Sequence, residues 1–277
     1  ARLAAAVVSG GGGGGEGEGE GGGGGALASE PEPKQLAADK KALRKAVTAT
    51  LSALGEDEVR RQSESVLERL AALPCLQPAG AGGAGTVSVY LPMVGGSCPE
   101  VDTWPLVARL FEQETRVVVP QVTGRTPEAM TMVVAPSEAE LRALPLDKWG
   151  IPVPSKAWLE QHGDHATSGE VDCVVVPCVA LDGQCRRLGH GGGYYDSFIQ
   201  RTTEKRASMG LPPPVTVGVA LANQIVESIP TGPLDRSIDI VVHPGGTIFS
   251  PRDARERSLA AAPSEVARRG GGGGGGG

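Results

Sequence analysis

Aromatic residues are scarce in this chain of 277 residues, which holds three tryptophans, three tyrosines and three phenylalanines. Its core must therefore be largely aliphatic, and rings set close together stand out. A surplus of basic residues is also missing. The formal net charge is −6, which excludes a general nucleic-acid binder, because phosphate-backbone binding rests on excess Lys and Arg. No apolar run approaches the ~20 residues that a membrane-spanning helix needs, so no membrane partner is expected. Cysteine is sparse and unpaired. Cys75, Cys98, Cys173, Cys178 and Cys185 are odd in number and show no C-x-x-C spacing. They read as free thiols of a reducing compartment, cytoplasmic or mitochondrial rather than secreted. The opening "ARLAAAVVSG", one arginine among alanines with no methionine, is compatible with the remnant of an organelle transit peptide. His162 and His165 form an H-x-x-H pair without further ligand spacing, so "EQHGDHATSG" reads as a polar loop.

Glycine, by contrast, is abundant and unevenly placed. Residues 10–25 hold 13 of the 42 glycines and residues 270–277 hold another 8. Glycine brings no apolar surface and has the most backbone entropy to lose. Residues 1–35 and 251–277 are therefore expected to be disordered, leaving residues 36–250 as one domain of ordinary size.

Within that span the hydrophobic period changes. "KKALRKAVTATLSAL" and "EDEVRRQSESVLERLAAL" carry apolar residues at helical spacing, Leu43, Val47, Leu51 and Leu54 in the first. Short β-branched runs follow at 86–91, 116–122, 130–135, 171–181, 215–221 and 238–243. Near-continuous apolar runs suit strands covered on both faces. Helical stretches lie between several of them, at 101–113, at 137–144 with Ser137 and Glu140 as a capping box, and at 194–205. The alternation predicts an α/β fold, a single domain with a mostly parallel β-sheet covered by helices on both faces.

One segment carries chemistry. In "CRRLGHGGGYYDSFIQR", residues 185–201, four glycines and two of the three tyrosines lie between a buried strand and a helix. Glycines there free backbone N–H groups to turn towards an anion, and a following helix N-terminus adds a favourable partial charge. Arg186 and Arg187 flank the loop, and the Arg187 guanidinium suits a fork of bonds to phosphate oxygens. The segment is not a Walker A loop, and Tyr194 stands where a dinucleotide fingerprint needs its third glycine. Taken alone, it fits a phosphate site and a glycine-rich turn with packed tyrosines equally well. Lys40, Lys41 and Arg44 likewise suit either a solvated helix face or ligand contacts. Trp149 reads as a core residue, ahead of stacking on a ligand or covering the edge of a site.

"RLGHGGGYYD" after a "VVVPCVALDG" strand resembles the signature of the 5-formyltetrahydrofolate cyclo-ligase family. "KKALRK", "YLPMVGGSCPEVDT", "VVVPQV", "DKWGIPVP" and "PLDRSIDIVV" match further family segments in order, over about 200 residues. The chain departs from many relatives at Gly192, where they carry lysine, and in a longer stretch between Leu91 and Glu100. The resemblance implies ATP-dependent conversion of 5-formyltetrahydrofolate to 5,10-methenyltetrahydrofolate, with ADP and phosphate as the other products. It implies Mg2+ held by Asp196 and Asp235, and ATP held by Lys40, Lys41, Arg44 and the loop Arg187, Leu188, Gly189, His190, Gly191, Gly192, Gly193, Tyr194 and Tyr195. It places folate against Leu91, Glu100 and the loop from His190 to Tyr194, with Arg187 as the catalytic residue facing an open phosphate pocket. The partners are then small molecules and the enzyme is expected to be a monomer. Two other readings stand beside it: a catalytically silent folate- or nucleotide-binding relative, and a sugar-phosphate isomerase of similar architecture that needs no ATP.

A chain cut to residues 36–250 should keep a cooperative melt and near-full activity, since the deleted segments offer little surface to bury. Loss of the cooperative transition on truncation would show that an end docks onto the core.

Overall fold

The computed structural model describes residues 32–93, 98–162 and 169–251. Its centre is a seven-stranded sheet. In chain order the strands are β1 (Thr86–Val89), β2 (Arg116–Val122), β3 (Met130–Val134), β4 (Cys173–Val176), β5 (Ala180–Asp182), β6 (Arg187–Leu188), β7 (Val215–Val219), β8 (Ile225–Val226), β9 (Ile240–His243) and β10 (Gly246–Phe249). The large sheet runs β10-β9-β7-β4-β1-β2-β3 and a small one runs β6-β5-β8. β1 pairs in parallel with β2 and β4, and β7 with β4 and β9, while β3 and β10 close the edges antiparallel. The mostly parallel sheet expected from the run composition is present.

Alternation along the strands builds two cores. Val87, Val89, Val117, Val119, Cys173, Val175, Val217, Val219, Ile240 and Val242 share one cluster. It also takes Val47 and Leu51 from helix α1 (Pro33–Leu51), Val66 and Leu70 from α2 (Glu56–Leu70), and Leu106, Val107 and Leu110 from α3 (Trp104–Glu112). Leu141 of the short α4 (Glu138–Arg142) joins them, and α5 (Lys156–His162) adds Trp158 and Leu159 at the margin. Val118, Met130, Met132, Val174, Val176 and Val241 point the other way, onto Phe198 and Ile199 of α6 (Tyr194–Ser208) and Leu181 of the small sheet.

Several boundaries move for identifiable reasons. The run at 171–181 is not one strand. Pro177, which has no N–H to give a ladder, ends β4, and the chain enters the small sheet at β5. The helix expected over 101–113 starts only at Trp104, with Pro105 in its first turn. Ser137 caps α4 by accepting from the Glu140 N–H at 3.1 Å, yet the helix stops at Arg142. The polar loop expected around His162 is in part helix α5, and His165 lies outside the described residues, as do 1–31 and 252–277 of the two expected tails. Strands β8 and β10 and the small sheet have no counterpart in the expected elements.

The small sheet depends on a buried carboxylate. Asp182 is fully buried. Its Oδ1 accepts from the N–H groups of Gln184 (2.9 Å) and Arg186 (3.0 Å), and its Oδ2 from Arg186 Nε (2.6 Å) and the Ile229 N–H (2.9 Å). The first three bonds close the β5–β6 turn, in which Cys185 takes a left-handed φ of 59°, and the fourth ties it to the segment after β8. Arg186 is drawn back to Asp182 and to Ser228. Arg187, the next residue in an extended chain, leaves on the opposite side.

Replacing Asp182 by alanine strands four donors and should destabilise the fold by about 3–5 kcal/mol, lowering Tm by roughly 10 °C in a domain of this size. A thermal melt with a shift under a couple of degrees would show that the turn holds without its carboxylate.

Candidate active site

The C-terminal ends of β1, β2 and β4 open onto a cavity of about 920 Å³. Parallel sheets place ligands there because strand ends, loops and helix N-termini converge at that edge. Helix α1 supplies Ala37, Lys40 and Arg44 to its wall. Spacings of three and four residues put these on one helix face. Lys41 falls about 100° around the helix; it is exposed and is not among the lining residues, so the structure separates it from the other two basic residues.

Lys40 forms an ion pair with Asp235 Oδ2, which also accepts from the Gly232 N–H at 2.6 Å. Arg44 Nε donates to the Gly189 carbonyl at 2.7 Å. Burial lowers the Arg44 pKa and the nearby Asp235 charge opposes that shift. The glycine loop is thus tied to the N-terminal helix from above.

Below it stands Arg187, with only 5% of its side chain exposed. Its guanidinium donates to Asp196 Oδ2 at 2.7 Å and lies 6.0 Å from the centre of the Tyr195 ring. The expected open phosphate pocket around this arginine is therefore corrected: the residue is buried and already paired, because Asp196 in the first turn of α6 faces it. A side chain at Gly189 would put its Cβ 2.7 Å from that guanidinium. Gly193, at φ 69°, makes the left-handed turn into α6 that leaves the helix N-terminus open to the cavity. Leu188 is buried in β6, while Gly191 and Gly192 are exposed on the rim.

On the far side of the loop, His190 Nε2 is 3.7 Å from Glu100 Oε1, and Glu100 Oε2 accepts from the Met93 N–H at 3.0 Å. The longer stretch after Leu91 has not removed Glu100 from the site, since both residues line the cavity. Tyr194 donates its hydroxyl to the Gly124 carbonyl at 3.0 Å. Burial, with the Glu100 charge second, pushes the Tyr195 phenol well above its usual range, so it stays protonated. Its hydroxyl and Arg187 Nε are both buried with no hydrogen-bond partner. Two lining residues thus each keep a buried polar atom that the protein itself does not satisfy.

Magnesium was expected on Asp196 and Asp235. Among the described residues no three carboxylate, histidine or cysteine groups cluster as a metal site. Both bonds of Asp235 fall on Oδ2, and Asp196 Oδ1 receives only a 3.4 Å contact from the Arg236 N–H. Each aspartate thus keeps oxygen capacity on the cavity wall. This donor set fits Mg2+, which ordinarily takes one or two carboxylates and completes its shell with phosphate oxygens and water.

The loop after β2 and the segment 147–153 also line the cavity; the loop was not expected there, and of the segment only Trp149 had a place at the site among its readings, behind core packing. Trp149 is 48% exposed at the cavity edge, with Lys148 Nζ 4.1 Å from its ring, so its expected place in the core is corrected. Asp147 accepts from the N–H groups of Trp149 and Ile151, which holds the tryptophan outward in a tight turn.

Comparison with known proteins agrees with this geometry. The sequence model of the 5-formyltetrahydrofolate cyclo-ligase family matches residues 36–244. A Caenorhabditis elegans protein named "Probable 5-formyltetrahydrofolate cyclo-ligase" is 32% identical over 211 residues, which cover 76% of this chain and 95% of that protein. The mouse 5-formyltetrahydrofolate cyclo-ligase is 26% identical, over 74% and 93% of the two chains. The solution structure of 5,10-methenyltetrahydrofolate synthetase from Aquifex aeolicus superposes with a TM-score of 0.57 at 28% identity, covering 76% of this chain and 92% of that one. With the family pattern matched over every strand but the edge strand β10 and over the cavity at the sheet's edge, the chain belongs to the 5-formyltetrahydrofolate cyclo-ligase family.

Proposed function

We propose that the cavity converts 5-formyltetrahydrofolate to 5,10-methenyltetrahydrofolate with cleavage of ATP to ADP and phosphate. One observation carries the reading. The paired groups Arg187–Asp196 and Lys40–Asp235 meet across a glycine loop at the sheet edge, beside unpaired donors on Arg187 and Tyr195.

The chemistry follows from what the residues can do. A formyl group on a ring nitrogen is an amide and resists attack. Transfer of the γ-phosphoryl group to the formyl oxygen turns that oxygen into part of a leaving group. N10 then attacks the formyl carbon, the ring closes, and phosphate departs. The sequence demands placement and charge neutralisation more than a strong base. Lys40, Arg44 and the loop N–H groups bind the phosphates, with Lys41 outside that set. Arg187 offsets negative charge on the phosphoryl group in flight, and the neutral Tyr195 hydroxyl donates to an oxygen beside it. Glu100, Leu91, His190 and Tyr194 hold the folate. Magnesium, held by Asp196 and Asp235, would neutralise phosphate oxygens.

A cytoplasmic or mitochondrial site of action accords with five free cysteines and with the mitochondrial cyclo-ligase of Arabidopsis thaliana, which is 40% identical over 85 residues. No helix among the described residues is long and apolar enough to cross a membrane. A monomer acting on small molecules remains our reading of the assembly.

Purified protein mixed with 5-formyltetrahydrofolate and Mg-ATP should develop methenyl absorbance; none under any condition tested would remove the cyclo-ligase reading. Arg187→Ala should lower kcat per folded molecule by roughly 10²–10³, and Arg187→Lys should recover part of it, keeping charge but losing the planar fork. Because Arg187 is buried against Asp196, the alanine variant should also lose about 1–3 kcal/mol of stability, read from its melt without ligand. Near-native turnover in a folded Arg187→Ala protein would refute its role.

Asp196→Asn should raise the magnesium concentration needed for half-maximal rate and lower the rate at saturation, since the same carboxylate orients Arg187. An unchanged magnesium titration would leave Asp196 as the partner of Arg187 alone.

A further inference from the structure

Charge pairing singles out one residue that neither the family signature nor the mechanism uses. The cavity is lined by four carboxylates, Glu100, Asp147, Asp196 and Asp235, and by four full cations, Lys40, Arg44, Arg125 and Arg187. Lys40 is paired with Asp235, Arg187 with Asp196, and Arg44 is bonded to a loop carbonyl. Among the described lining residues, Arg125 alone of the full cations has no ion-pair or hydrogen-bond partner. It is solvent-exposed.

Its backbone, however, is pinned on both sides. The Gly124 carbonyl accepts from Tyr194 Oη at 3.0 Å, and the Ala129 carbonyl accepts from the N–H (3.0 Å) and Oγ1 (3.1 Å) of Thr123. Arg201 of α6 donates to the carbonyls of Glu128 (3.1 Å) and Met130 (2.8 Å). The connection between β2 and β3 is thereby fixed against the first turns of α6, and it presents a long cation to the cavity. A rigid mount with a free guanidinium is suited to an oxyanion that arrives with the ligand. Both substrates are polyanions, whereas the four carboxylates and four full cations of the lining cancel.

We propose that Arg125 is a specificity-determining residue that binds an oxyanion of the bound substrates, a glutamate carboxylate of the folate or a phosphate of the nucleotide. The assignment rests on the cyclo-ligase reading for the identity of those ligands. In strand order β1 and β2 lie on the side of β4 away from β7 and β9. Arg125 follows β2, whereas Asp235 precedes β9 and Arg187 touches the Pro177 carbonyl after β4. This separation along the sheet edge favours the carboxylate.

The test is equilibrium binding to the full chain by calorimetry, with ATP analogue, 5-formyltetrahydrofolate and the same folate lacking its glutamate as three arms. Arg125→Ala should weaken 5-formyltetrahydrofolate about tenfold, as for loss of one charge-assisted bond, and Arg125→Lys should restore part of the affinity. The truncated folate should bind wild type and Arg125→Ala alike. A tenfold loss confined to the ATP analogue would instead make phosphate the source of the oxyanion. Unchanged affinities in both intact-ligand arms overturn the proposal, and so does a fall in melting temperature without any change in affinity, which marks a structural arginine. Turnover by wild type in a parallel assay keeps the two questions apart: binding without turnover sinks the cyclo-ligase reading alone, and no binding of either ligand sinks both.

Discussion

The site hangs on the turn closed by Asp182. A carboxylate with no exposure is tolerable only if its lone pairs are filled, and four donors fill them. Those bonds decide which of two adjacent arginines holds the turn and which reaches Asp196 at the cavity wall. They also fix the backbone of β6, from which the glycine loop departs. Had Arg186 and Asp182 been absent, the loop would have no rigid point of origin, and Arg187 would sample many directions. The precision needed for phosphoryl transfer is therefore prepared one layer below the residues that touch the substrate.

A second feature is the degree to which the site's charges satisfy each other without ligand. Lys40 and Asp235 join the first helix to a loop 195 residues later, and Arg187 and Asp196 close the floor. Such pairs avoid isolated buried charges. On the proposed cyclo-ligase reading, phosphate oxygens would compete with the carboxylates for the same guanidinium and ammonium groups. Magnesium held on the two aspartates would ease that exchange by giving the displaced carboxylates a new cation.

Much of the architecture was legible because valine-rich runs are unambiguous in a sheet covered on both faces. β1, β2, β3, β4, β7 and β9 lie within the expected runs; β2, β3, β4 and β9 send alternate residues into the two cores, and β1 and β7 feed the first alone. The division at Pro177 was visible in principle, since a proline in a central strand is a warning. The small sheet was not, because β6 and β8 are two residues long and carry no periodicity. At the site, the glycine loop and its flanking residues were readable from their motif. Lys41 was not separable from Lys40 by motif, although helical geometry divides them. Trp149 and Arg125 escaped because their placement depends on turns held by backbone bonds, to Asp147 in one case and to α6 in the other. The Asp of "DKWGIP" does signal a local turn, but neither it nor "TGRTPEA" encodes which way such a side chain will face the rest of the fold.

The long span of the Lys40–Asp235 pair has a consequence for synthesis. During translation α1 emerges ahead of the other described elements, and Asp235 follows only after the glycine loop and nearly the whole sheet. The nascent chain can bury the aliphatic face of α1 before that moment, but it cannot complete the charged wall of the cavity. That wall is therefore completed late, when the last parallel strand is laid beside β7. A chain released before residue 235 would lack the acidic half of the Lys40–Asp235 pair and the strand β9 beside it.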